Sequence, residues 1–89
     1  MQRKEITIIN KLGLHARAAA KLVQTAAGYE SDIFIIHNGR RVSGKSIMGI
    51  MMLAASKGTT IDVVTSGRDE EQAMADVEAL IADRFGEPE

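Results

Sequence analysis

Asn38-Gly39 is the feature that leaves this chain least freedom. The dipeptide follows the β-favouring run Ile33-Phe34-Ile35-Ile36 and precedes the short segment Arg40 to Ser43. Asn-Gly between two such runs is the strongest short-range hairpin signal and favours a type I′ turn. The middle of the chain therefore reads as an antiparallel strand pair, Asp32 to His37 and Arg40 to Ser43. Whatever flanks that pair must supply the rest of a sheet and something to cover it.

On the N-terminal side, Glu5-Ile6-Thr7-Ile8 alternates polar and apolar residues, and Ile9 extends it. That is the pattern of a half-buried strand with Ile6 and Ile8 facing a core. From Ala16 to Ala27 the spacing turns helical, with Ala19, Leu22, Val23 and Ala26 on one face. Gly28 fits the position after that helix. Past the hairpin, Gly44-Lys45-Ser46 opens a second helix, Ile47 to about Ala55, with Ser46 as N-cap. Ile47, Ile50, Met51 and Ala54 form its core stripe, Met48 and Met52 lie beside it, and Lys57-Gly58 ends it. Thr60 to Ser66 is a further strand with Ile61 and Val63 on one face. Asp69 and Gln72 have the spacing of a capping box for a last helix from Glu70 to Arg84. Ala73, Val77, Leu80 and Ile81 give that helix an apolar side, and Gly86-Glu87-Pro88-Glu89 is expected to fray.

The order is strand, helix, strand, strand, helix, strand, helix. Three amphipathic helices and an alternating sheet each need one partner, so the helices cover one face of an antiparallel sheet. The expected fold class is α+β, a two-layer open-faced sandwich of the order βαββαβα. At 89 residues the chain is read as one domain, residues 1–89, with a modest core and no room for a deep cleft.

Eleven basic and 12 acidic residues leave a net charge of −1, and aromatics are 3%, which argues against a nucleic-acid partner. Without cysteine there is neither a disulfide nor a thiolate metal site. Met1 to Glu5 lacks the apolar core of a signal peptide, and no apolar run approaches the roughly 18 residues of a membrane span. A cytoplasmic location without membrane insertion is expected.

Gly13-Leu14-His15-Ala16-Arg17 lies where the first strand has stopped and the first helix begins. A histidine there sits at a helix N-terminus, whose first backbone N–H groups lack intrahelical partners and, with the helix dipole, attract an anion. The positive end of the dipole disfavours imidazolium, so His15 is expected to be neutral and nucleophilic near neutral pH. Arg17 adds a permanent cation one turn into the helix. His15 could equally be a turn or capping histidine, and Arg17 a solvated one. Together with free N–H groups, however, they suit a histidine that accepts a phosphoryl group.

Gly39 to Ser46 also matches the nucleotide-binding pattern G-x-x-x-x-G-K-[ST]. The hairpin claims most of that segment as turn and strand, which leaves no phosphate-cradling loop. Ser46 reads as a helix cap. As a phosphorylation site it would place roughly two negative charges beside Ile47, Met48 and Met51 without melting the helix. Met48, Met51 and Met52 are core filler or an adaptable docking patch. His37 has no special role, and Asp69-Glu70-Glu71 simply suits its helix N-terminus.

Gly13-Leu14-His15-Ala16-Arg17 and Gly44-Lys45-Ser46-Ile47-Met48-Gly49 together resemble the HPr family, the histidine-containing phosphocarriers of the bacterial phosphoenolpyruvate:sugar phosphotransferase system. The resemblance runs essentially end to end. It implies a four-stranded antiparallel sheet under three helices. It also implies that His15 accepts a phosphoryl group at Nδ1 from enzyme I and passes it to an enzyme IIA domain. Arg17 would steady the phosphate together with the backbone of Ala16 and Arg17. Ser46 would be the target of an HPr kinase/phosphorylase, and Ala16, Ala20, Gln24, Ile47, Met48 and Met51 would form the docking surface.

A monomer needing no cofactor or metal, acting as a transfer intermediate more than as an independent catalyst, is expected. Ala18 stands where many members carry proline, which is expected to leave the start of the first helix less rigidly fixed, and Gly44 stands where many carry alanine, which is expected to loosen the lead into the second helix. His15 argues against the regulatory relative that lacks the histidine. A nitrogen-branch paralogue, an adaptor in which His15 is a bystander, and a nucleotide-binding protein using Lys45 stand as the other readings.

Overall fold

The hairpin forms at Asn38-Gly39. Both residues take positive φ, 51° and 76°, as a type I′ turn requires, and His37 faces Arg40 directly across the pair. Around it, the computed structural model describes all 89 residues, 1–89. The elements are β1 (Gln2–Thr7), α1 (Ala16–Ala27), β2 (Asp32–His37), β3 (Arg40–Ser43), α2 (Ile47–Met52), β4 (Thr60–Ser66) and α3 (Glu70–Ala82), with a 3₁₀ turn over Arg84–Gly86. β4 returns between β1 and β2, giving the sheet order β1-β4-β2-β3 with every pair antiparallel. Period-two alternation puts Ile61, Val63 and Thr65 of β4 beside Ile33 and Ile35 of β2 in the interior. The three helices cover that face with Ala18, Ala19, Leu22, Ile50, Met74, Val77 and Ile81, and the opposite face stays open. The fold is the expected α+β sandwich.

Several local expectations are corrected by the structure. β1 begins at Gln2 and ends at Thr7, because the seven-residue β4 offers it ladder partners as far as Thr65. Ile8 lies outside the strand yet is fully buried, held through its backbone to Gly58 and Thr59. α2 spans six residues, not nine. Ala54 turns to φ 52° and stays exposed, so Leu53 and Ala55 enter the core in its place. Ile47 and Met51, expected in the core stripe, remain about 41% and 40% exposed, and Ile50 alone of that helix is buried.

Asp69 and Gln72 form no capping box. The Asp69 carboxylate accepts from the backbone N–H groups of Glu30 and Ser31 and from the Ser31 hydroxyl, while Gln72 donates to Asp76. α3 ends at Ala82, not Arg84, and buries Met74 more deeply than Leu80.

The C-terminal segment is not frayed. Phe85 is fully buried in the main core, although Arg84 and Phe85 both adopt left-handed φ to bring it there. Gly44 does not loosen the approach to α2. Its N–H donates to the Ile33 carbonyl at 2.7 Å, and a Cβ there would lie 2.7 Å from Ile33 Cγ2. Gly28 closes α1 in the right-handed region, φ −75°, without using its freedom for positive φ.

Candidate functional site at the start of the first helix

Gly13 and Leu14 fix the chain just ahead of α1. Gly13 has φ 67° and packs so tightly on Ala55 that a Cβ would stand 2.5 Å from the Ala55 carbonyl oxygen. The Leu14 N–H donates to that same carbonyl at 2.9 Å, and the Leu14 side chain is buried. His15 follows in extended backbone (φ −76°, ψ 178°) as the N-cap of α1. The first helical bond runs from Ala19 N–H to the His15 carbonyl. The amides of Ala16, Arg17 and Ala18 precede it and have no intrahelical acceptor. No acidic side chain occupies that first turn, so its positive end is not neutralised from within the helix. Arg17 is exposed and makes no hydrogen bond or ion pair within the chain.

The His15 ring is about 28% exposed, and its two nitrogens are treated differently. Nε2 is hydrogen-bonded to the Glu87 carboxylate, whereas Nδ1 has no partner. A second Glu87 oxygen accepts from Asn10 Nδ2 at 3.0 Å. Asn10 is fully buried and also donates from Nδ2 to the Gly13 carbonyl at 2.9 Å, while its Oδ1 has no partner. Burial pushes the Glu87 carboxyl up. The Asn10 and His15 hydrogen bonds outweigh that and hold it below the usual carboxylate range.

Glu87 reaches this position because its segment is fastened on both sides. Phe85 is in the core, Lys21 Nζ donates to the Phe85 carbonyl, and Lys11 N–H donates to the Glu89 carbonyl at 3.0 Å. Between Lys11 to Arg17 and Glu87 to Glu89 lies an open depression of about 600 Å³. His15, Ala16 and Arg17 are thus brought together as expected, and Glu87 and Asn10 join them unforeseen. The bulky apolar Phe85 just past the last helix was the one signal that the tail docks.

Ser46 caps α2, its Oγ accepting from Gly49 N–H at 3.0 Å. Arg40 to Ser43 is a paired strand, so the nucleotide-loop pattern does not form a loop, and Lys45 Nζ is turned to the Tyr29 carbonyl. Ala16 and Gln24 are exposed and Ala20 is half-buried on α1. Met48 is 71% exposed on the neighbouring α2, next to the partly exposed Ile47 and Met51. Ala16, Ala20 and Gln24 recur every four residues and so share one side of α1. No cluster of three or more metal-ligating side chains is present, and no helix is long and apolar enough to cross a membrane.

Residues 2–83 match the family described as PTS HPr component phosphorylation site. The chain is 56% identical over 89 residues to the phosphocarrier protein HPr of Cupriavidus necator, covering all of both chains. Its fold is similar to the crystal structure of HPr-C-His from Thermoanaerobacter tengcongensis, with a TM-score of 0.96, 44% identity and full coverage of both chains. A structure described as the HPr dimer of that organism matches with a TM-score of 0.79 and 45% identity, over 98% of this chain and 100% of that one.

Proposed function

The chain belongs to the HPr family of phosphotransferase-system phosphocarriers, and from that premise we propose that His15 is its phosphoryl acceptor in a reversible relay. The observation that carries the reading is the asymmetry of the His15 ring at the N-terminus of α1, where Nδ1 is unbonded beside unpaired amides and an unpaired Arg17. Phosphorylated enzyme I would supply the group and an enzyme IIA domain would take it. In each step the accepting imidazole nitrogen forms a bond to phosphorus while the donor's N–P bond breaks and its electron pair returns to the donor ring. Such transfer needs positioning and charge stabilisation more than covalent help from the carrier. The amides of Ala16 and Arg17 with the Arg17 guanidinium would supply that stabilisation, and no metal or cofactor of the carrier enters the step.

Ala16, Ala20, Gln24, Ile47, Met48 and Met51 form the proposed docking surface, with the flexible methionines suited to more than one partner. Ser46 is the proposed target of an HPr kinase/phosphorylase. The protein is expected to act in the cytoplasm as a monomer, although several similar structures are described as dimers. A nitrogen-branch carrier would use the same His15 chemistry.

The test is an intact mass after mixing the protein with enzyme I, Mg²⁺ and phosphoenolpyruvate. One added phosphate, labile in mild acid and lost in His15→Ala with the fold intact, is the expected outcome. No added phosphate, with the same enzyme I active on another acceptor, would leave an adaptor that keeps the fold without the relay.

A further inference from the structure

We infer that Glu87 decides which nitrogen of His15 can be phosphorylated, by capping Nε2 and leaving Nδ1 as the only nucleophile; the inference rests on His15 being the acceptor. A carboxylate can only accept a hydrogen bond, and Glu87 is held ionised by Asn10 as well as by the ring. The bond therefore places the ring proton on Nε2. In a neutral imidazole the other nitrogen then carries the lone pair, and Nδ1 is the nitrogen without a partner.

The cap is built rather than incidental. Asn10 spends its amide group on Gly13 and Glu87 and leaves its own buried oxygen unpartnered, an arrangement that is unfavourable unless something offsets it. Turning that amide over would set its oxygen against the Glu87 carboxylate, so the orphan oxygen is the consequence of fixing Glu87. Asn10 also ties the carboxylate to Gly13, two residues before the histidine, so ring and cap share one support.

The other charged groups around the ring are Arg17 on α1 and, at the rim of the depression, Lys11 and Glu89, which pair with each other at 3.3 Å. None of them bonds the ring, which leaves Glu87 as its sole polar partner.

In the transfer step the Nδ1 lone pair forms the bond to phosphorus, and the donor keeps the electron pair of the bond that breaks. No proton has to leave Nδ1, because the ring proton is already on Nε2. The cationic character that the ring gains on phosphorylation then faces a carboxylate across the Nε2–H. Glu87 is a positioning and specificity-determining residue here, since it touches the ring and not the phosphoryl group.

The experiment uses full-length protein with ¹⁵N-labelled histidine and phosphoramidate as a small-molecule phosphoryl donor, without enzyme I. Phosphorus and nitrogen NMR then identify the nitrogen modified on His15. Wild type is expected to give the Nδ1 product alone. Glu87→Ala, with its backbone spectrum showing the fold retained, is expected to raise the Nε2 product from undetected to a major species. A folded Glu87→Ala that still reacts only at Nδ1, or a wild type that reacts at both nitrogens, would overturn the inference.

The ¹⁵N shifts of the neutral ring before phosphorylation give the second readout, which stands even if phosphoramidate does not react. The proton is expected on Nε2 in wild type and shared between both nitrogens in Glu87→Ala, and an unchanged distribution would again overturn the inference. Because neither readout involves enzyme I, a failure of the relay itself would show separately in the mass experiment.

Discussion

Gly13 has to be glycine for two separate reasons, and both bear on His15. Its φ of 67° is strained for any side chain, and a Cβ would meet the backbone of Ala55 and Ser56 at 2.5 and 2.8 Å. Backbone cannot yield as a flexible side chain can, so Gly13→Ala must push the loop off the segment after α2. A loss of about 1–3 kcal/mol in denaturant unfolding is expected. Phosphoryl acceptance by the folded fraction should slow as well, because the Leu14–Ala55 bond that precedes His15 is displaced; an unchanged stability would mean that the loop has slack.

Asp69 is a second residue whose worth is set by its partners. The Ser31 hydroxyl, then the Glu30 N–H, hold its carboxyl down at about 2 against an ordinary 3.8, overcoming the opposing effect of burial. A carboxyl depressed on folding contributes stability above its unfolded value and loses it as pH falls through the folded one. The contribution should therefore be complete above pH 3.8 and fade between 3.8 and about 2. Thermal unfolding followed across that window should show a fall in Tm that is smaller in Ser31→Ala, and parallel curves would remove Asp69 from the acid sensitivity.

α2 is the element with the least of its own to rely on. Six residues are too few for a stable isolated helix, so it depends on Ile50 in the core and on its cap. Ser46→Ala, which removes the acceptor for Gly49 N–H, should cost about 1 kcal/mol in chemical denaturation. Ser46→Asp keeps a capping oxygen and should leave stability nearly unchanged. Its added charge lies beside Ile47 and Met48, so it is expected to slow phosphorylation by enzyme I. Equal rates for Ser46→Asp and wild type would take Ser46 out of the regulation of docking.

The cap was legible in the sequence, as were the bounds of α1, β2, β3 and β4, because each rests on local spacing or turn chemistry. The end of α2 was not, since Leu53 and Ala55 are drawn inward by a core that the local pattern does not contain. Asp69 was misread for the same reason: donors at Glu30 and Ser31, far along the chain, took the carboxylate that a local capping box would have used.

At the scale of the whole molecule, the site joins the two ends of the chain. His15, Ala16 and Arg17 could be read at one strand-to-helix junction, whereas Glu87 lies 72 positions from the histidine it bonds, beyond any local pattern. What brings it there is Phe85, fully buried in the main cluster despite the left-handed backbone at Arg84 and Phe85. Two non-glycine residues in that region cost on the order of 1–3 kcal/mol each, so the ring's burial must more than offset them. Phe85→Ala removes that gain and keeps the backbone cost, and should lower global stability by about 3–5 kcal/mol. It should also release the segment beyond it.

The Lys11 amide, bonded to the Glu89 carbonyl at 3.0 Å, reports that release through hydrogen exchange, and loss of its protection is expected in Phe85→Ala. Deleting Pro88 and Glu89 separates the two effects. It removes the Lys11 acceptor but leaves Phe85 and Glu87 in place, so Lys11 should exchange freely while stability hardly changes. If Phe85→Ala instead behaved like that deletion, the tail would be a surface attachment, and the position of Glu87 against His15 would need another anchor.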